Sequence, residues 1–146
     1  MDIFNNAEPV ACIARSDAIV DKLVKASGEM SSGKNFVLLL KDSSSVRRRL
    51  LPSFMNAYLR YTEHFMRAES LQKEVLLFAA GTMNINKAIR SAGIDNNAKF
   101  IVFASNRKLM NEFIITTGSA IMETCRLEID KNIAKDVAIT GLSGDS

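Results

Sequence analysis

The chain is poor in the side chains that most enzymes and metal sites are built from. It has one histidine and two cysteines, so a zinc site of Cys/His type is not available. His64, next to Glu63 in an apparent helix, reads as a structural histidine, because adjacent helix residues do not face each other. No G-x-S-x-G elbow occurs, and there is no second histidine to serve as a base. The acids Glu63, Glu69 and Glu74 are scattered among bases; Glu74, between apolar helix positions, pairs structurally with Lys73 or Arg67 in this reading. Nothing assembles into a nucleophile, base and oxyanion set. The expectation is a non-enzyme without catalytic residues, metal, cofactor or small-molecule substrate.

Long hydrophobic runs are also missing. No stretch approaches the ~20 apolar residues that span a bilayer, so no membrane partner is expected. The amino terminus, MDIFNNAEPV, has an acid at its second position and no basic segment before an apolar core. No signal peptide is read, and a cytoplasmic location is expected. Cys12 and Cys125 are far apart beside apolar neighbours, as free structural thiols are. One near-motif fails. Gly28 to Asn35, GEMSSGKN, has the G-x4-G-K spacing of a phosphate loop but lacks the Ser/Thr that would hold magnesium. A helix pattern precedes it and a strand follows, the reverse of what phosphate binding at a helix N-terminus requires.

What is present is an ordinary globular composition. The 146 residues are 47% hydrophobic and 24% charged, enough for one domain with a sizeable core and too apolar for disorder. Net charge is only +3. Its placement is uneven: Lys41 to Lys73 holds seven bases against three acids. A basic patch on a nearly neutral chain suits an anionic partner, or is a solvated helix face.

In chain order, Pro9–Ile13 reads as a strand. Ser16 or Asp17 caps a helix through about Lys25, with Ile19/Leu23 and Val20/Val24 as i,i+4 pairs. Ser27–Lys34 reads as a link. Phe36–Leu40 reads as a central strand buried on both sides. Leu51, Met55, Tyr58, Thr62 and Phe65 follow helical spacing, with Pro52 near the first turn and Arg47–Arg49 at or before the start. Leu71–Gly93 reads as helix, glycine break, short helix and glycine stop. Gly81 ends the first helix, Asn84 caps the second, and Thr82–Asn84 forms an exposed corner with Lys87 and Arg90 behind it. Phe100–Ala104 is a strand, and Asn106 caps a helix ending at Gly118. Ala120–Ile129 is strand or helix, Asp130–Val137 is weakly helical, and GLSGDS is a frayed end. The intermingling of strands and helices predicts a single α/β or α+β domain, a small mixed or antiparallel sheet of three to five strands covered by helices. Most of Phe54, Tyr58, Tyr61 and Phe65 read as core, although aromatics beside Arg60 and Arg67 also suit base stacking.

The ordered set Arg67-Ala68-Glu69-Ser70-x3-Glu74-x-Leu76, Ala80-Gly81, Asn84-Ile85-x2-Ala88-Ile89-x3-Gly93-Ile94, then the strand FIVFA, resembles a known family. It is similar to the kinase-binding adaptor subunit of the KEOPS tRNA-modification complex (the PRPK-binding subunit), in single-domain archaeal form. The likeness is strongest from about Leu50 to Gly118. Met83-Asn84 departs from the basic or polar pair, commonly Arg-Gln, that members often carry there. The resemblance implies a non-catalytic subunit of the machinery that places threonylcarbamoyl on adenosine 37 of tRNA. It implies two partners, the small atypical kinase or ATPase subunit and the 3′ CCA end of tRNA. By position, Gly81, Met83, Asn84, Ile85 and Lys87 would meet the RNA end, with Ile85 as an apolar platform. Lys73 and Arg47, Arg48 and Arg49 would contact phosphate by charge. The helices outside the corner, including the C-terminal part, would face the kinase. A protein-only regulator of a kinase-like partner, without RNA contact, is the alternative.

Overall fold

The computed structural model describes residues 8–142. Its elements are β1 (Val10–Arg15), α1 (Val20–Glu29), β2 (Val37–Lys41), α2 (Ser44–Thr62), α3 (Leu71–Ala80), α4 (Ile85–Ala92), β3 (Phe100–Ala104), α5 (Arg107–Thr117), β4 (Ala120–Cys125) and α6 (Lys131–Leu142). All strand pairs are antiparallel, in the order β2-β3-β1-β4. This is an α+β domain, as the intermingled patterns predict.

Alternation along the strands divides the core in two. Cys12, Ala14, Val37, Leu39, Phe100 and Val102 point to one face, where Leu23 of α1 and Met110 and Phe113 of α5 cover them. Ala11, Ile13, Leu38, Leu40, Ile101 and Phe103 point to the other, under α2, α3, α4 and α6. Cys12 and Cys125 belong to opposite faces and are free thiols.

The apolar run of β2 does not make a central strand. β2 lies at one edge of the sheet, and β3 and β1 are central. Helices cover both its faces, which accounts for the unbroken apolar sequence, and its outer edge is closed by groups that are not strands. The Ile94 N–H donates to the Leu39 carbonyl at 3.3 Å, and Gly93 bridges to Leu40. Gln72 Nε2 donates to the Val37 carbonyl at 2.7 Å, and the Val37 N–H donates to Ser31 Oγ at 3.0 Å. At the other edge no strand lies outside β4 among the described residues, and its side chains are largely exposed.

Several boundaries depart from the sequence reading. α1 starts later and runs further, with Ile19 at its cap position and no side-chain cap; Ser16 instead makes a local turn, accepting the Ala18 N–H at 3.1 Å. The link therefore shrinks to about residues 30–35, where Ser32 and Asn35 pair across a tight turn. α2 begins at Ser44 because Ser43 accepts the Val46 N–H at 3.1 Å. That puts Pro52 in the middle of the helix, where the missing N–H and ring clash cost about 3 kcal/mol. Arg47–Arg49 lie inside the helix and not at or before its start, past the turn where the dipole would disfavour cations most strongly.

His64 lies beyond α2, not within it, with φ of 60°. Its N–H returns to Tyr61 at 3.3 Å, and that of Phe65 returns to Arg60 at 2.8 Å. This is the left-handed stop that glycine usually supplies. Glu74, buried on α3, does not pair with the side chains of Lys73 or Arg67. Its Oε1 accepts the backbone N–H of Arg67 at 3.0 Å and of Ala68 at 2.8 Å, and Oε2 lies 3.7 Å from Arg60 Nη1. Ala120–Cys125 resolves as strand, and α6 extends to Leu142, capped by Asp130 Oδ1 accepting the Asn132 N–H at 2.9 Å. The frayed-end expectation for Gly141–Ser146 falls mostly outside the described residues. Gly141 and Leu142 still belong to α6. No helix among the described residues is long and apolar enough to cross a membrane.

Candidate nucleic-acid interface

The α3–α4 hairpin is fixed by a series of local bonds. Ser70 Oγ accepts the Lys73 N–H at 3.2 Å and opens α3. Gly81 closes it with φ of 77°, and the N–H groups of Gly81 and Thr82 both return to Leu77, at 2.9 and 3.2 Å. A side chain on Gly81 would be strained at that φ, and its Cβ would stand 3.3 Å from the Arg49 guanidinium. Thr82 Oγ1 then accepts the Asn84 N–H at 3.1 Å. Asn84 Oδ1 accepts the Lys87 N–H at 3.0 Å and starts α4.

The corner is less exposed than its sequence suggests. Thr82 and Met83 are buried, because the flexible Met83 side chain fills space under the hairpin and joins the core. Asn84 is half-buried. Gly81, Asn86, Lys87, Arg90 and Ser91 are exposed on the hairpin. α4 carries more apolar surface than it buries. Ala88 and Ala92 face the core, Ile85 is half-buried, and Ile89 is 52% exposed.

That surplus lines a groove beside the covered edge of β2. Its volume is about 180 Å³. Buried Leu38, Leu39 and Leu76 line it with Ile85 and Ile94, and exposed Val24 and Ile89 stand at its margin. Gln72 and Lys73 line it as well; Lys73 Nζ is paired with Glu69. The structure thus brings Ile85 and Lys73 to one cavity, on α4 and α3.

The three arginines are not in that groove, and each has partners of its own. Arg47 holds Asp42 through Nε and Nη2 at 2.7 and 3.1 Å and Glu123 at 2.7 Å. The Arg47 guanidinium, with Lys99, keeps the Asp42 carboxyl below its usual range against the opposing effect of burial. Arg48 meets Asp130 at 3.2 Å. Arg49 is half-buried; its Nη2 donates to the Phe78 carbonyl at 2.7 Å and to Thr140 Oγ1 at 3.3 Å. Burial lowers its pKa. Arg47 and Arg48 share a separate hollow of about 420 Å³ with Arg126, Glu128, Asp130 and Lys131.

Sequence reasoning missed Val24 and Ile89 as groove residues, since helical spacing assigned both to core. The available signal was four apolar positions in the eight residues of α4, more than one narrow stripe needs. The aromatics are mostly internal: Phe36, Phe54, Tyr58 and Tyr61 follow one another with ring centroids 6.0, 5.3 and 6.2 Å apart, and among the described residues only Phe65 stands out. At the phosphate-loop near-motif, Gly28 lies inside α1 and a strand, not a helix N-terminus, follows the turn at Gly33.

A comparison with curated proteins returns no match. A family model described as kinase binding protein CGI-121 matches residues 16–140, a span that contains the hairpin, the groove and all but the first strand and the last turn. The chain belongs to the CGI-121 family of kinase binding proteins.

Proposed function

We propose that the chain is a non-catalytic adaptor of the KEOPS tRNA-modification machinery, binding its small atypical kinase or ATPase subunit and recruiting tRNA by the 3′ CCA end. The observation that carries the RNA half is the groove beside β2. An apolar slot with Ile85 inside it, Lys73 at its wall and Lys87 and Arg90 exposed on the same short helix suits an unpaired RNA end. Single strands are bound by apolar contact with base faces together with charge along the backbone. Family membership supports the kinase half, and the helices outside the hairpin are the surface it would use.

The test is a gel shift of the isolated protein with CCA-ended and trimmed tRNA across a salt series. CCA-ended tRNA shifts, with log affinity falling by about 0.7 per phosphate contacted as log salt rises. Ile85→Glu weakens the shift while circular dichroism stays native. Equal affinity for trimmed tRNA rejects the groove assignment. The internal engagement of Arg47, Arg48 and Arg49 favours a second reading, a protein-only allosteric regulator of the kinase. That reading predicts kinase binding with no tRNA shift at physiological salt.

A further inference from the structure

The segment joining α2 to α3 is held at both ends, yet it leaves its largest apolar side chain outside. At one end, the left-handed His64 and the backbone bonds to Tyr61 and Arg60 fix the exit from α2. At the other, the fully buried Glu74 carboxylate takes the N–H groups of Arg67 and Ala68. Arg60 ties the two together. Its Nη1 lies 3.7 Å from Glu74 Oε2 and donates to the Phe65 carbonyl at 3.4 Å. Its Nη2 donates to the Gly141 carbonyl at 2.7 Å, and the guanidinium sits over the Phe78 ring at 5.4 Å. Between these clamps Phe65 is 69% exposed.

An exposed aromatic on mobile chain gives up ordering entropy when it binds. One on a braced loop has given it up already, which is what anchors of protein interfaces do. The surroundings suit such a contact. Leu59, also exposed, lines a hollow of about 410 Å³ with Phe65, Arg60, Glu63 and Arg67. Leu142, next to the Gly141 that Arg60 holds, is 82% exposed. Leu59 and Phe65 are the hollow's apolar members, and two arginines and one glutamate line it beside them.

We propose that this knuckle, centred on Phe65, is a docking surface for a protein, and that its occupant is the kinase of the family's description. The complementary site is an apolar pocket for the Phe65 ring, with carboxylates placed to meet Arg67. A second copy of this chain fits less well, because a two-fold contact at Phe65 would bring Arg67 towards its own like charge. The proposal rests on the kinase-binding reading and adds to it a surface distinct from the groove assigned to RNA.

The experiment titrates the purified small kinase subunit into the full chain by calorimetry, using wild type, Phe65→Ala and Arg67→Glu. Both side chains are exposed, so native circular dichroism is expected in each variant. Phe65→Ala is expected to weaken kinase binding at least tenfold, and Arg67→Glu several-fold with a flatter salt dependence. The tRNA shift should stay within twofold of wild type. Wild-type kinase affinity in both variants overturns the proposal and leaves the kinase-binding reading standing. Loss of the tRNA shift in Phe65→Ala, or a wild-type dimer that Phe65→Ala dissociates, overturns it as well. A wild-type chain that does not bind the kinase removes the functional reading together with the surface.

Discussion

Gly93 offers a sharp test of how the edge of β2 is closed. Its backbone is extended, with φ −65° and ψ 158°, a conformation any residue adopts, so torsion does not demand glycine here. Space does. A Cβ built on Gly93 would lie 2.6 Å from the Ile89 carbonyl oxygen and 3.3 Å from its carbon. These are backbone atoms that cannot swing aside. Gly93→Ala must push the end of α4 away, straining the Gly93 N–H bond to Ile89 at 3.0 Å and the Ile94 bond to Leu39. Overpacking of this kind costs about 1–3 kcal/mol. For a chain of this size that lowers Tm by roughly 3–9 °C, at about 3 °C per kcal/mol. Gly28 is the matched control: it lies inside α1, and a Cβ there meets nothing within 4 Å. Gly28→Ala should therefore stabilise by about 0.4–1 kcal/mol through a less flexible unfolded chain. Thermal melts of both variants decide the sign, and amide exchange at Ile94 reports whether the edge has loosened. Gly93→Ala melting with the wild type, or Gly28→Ala losing as much, would show that the close approach does not govern this corner.

Acid should expose the role of Asp42. Its carboxyl is held low chiefly by Arg47, so the stability it contributes is present above the ordinary aspartate range and is lost as pH falls below about 4 through the folded value. Tm followed from pH 6 to 2 should drop less steeply in Asp42→Asn than in wild type; parallel curves refute the pair. The thiols should differ in reactivity. Burial raises Cys12 to about 11 and also raises Cys125, which is only partly buried. A thiol reagent at pH 8 should label Cys125 slowly and Cys12 only on unfolding, with Cys125→Ser leaving no labelling in the folded protein.

Elements whose signals are local were legible in the sequence. Gly81 and Gly118, after runs of helical spacing, stop α3 and α5 in the left-handed conformation, and Asn84 and Asn106 cap the helices that follow them. What depended on distant partners was not. An apolar strand reads the same at the centre of a sheet and at an edge covered by helices, so the apolar run of β2 does not reveal that it lies at the edge. Pro52 suggested a helix start, but the Ser43 cap and burial of Val46 and Leu50 carry the helix through it. The arginine run suggested a free cationic surface because Asp42, Glu123, Asp130 and the Phe78 carbonyl reach it from other elements. In the candidate site, Ile85 and the hairpin were legible. The groove was not, since Leu38, Leu39, Val24 and Leu76 meet Ile85 only in three dimensions.

The two edges of the sheet have unlike consequences for misassembly. Exposed strand edges are where sheets grow from one molecule to the next. Here the β2 edge is already occupied by Gln72, Ser31 and the Gly93–Ile94 backbone, which leaves β4 as the open one among the described residues. A molecule with one open edge can add one strand and then has none to offer. Pairing of β4 with β4 of another copy would consume both free edges and close at two molecules, whereas a filament needs a donor and an acceptor edge on every subunit. Loosening Gly93 and Ile94 would supply the second edge, so the backbone bond from Ile94 to Leu39 helps separate a self-limiting pair from an open-ended polymer.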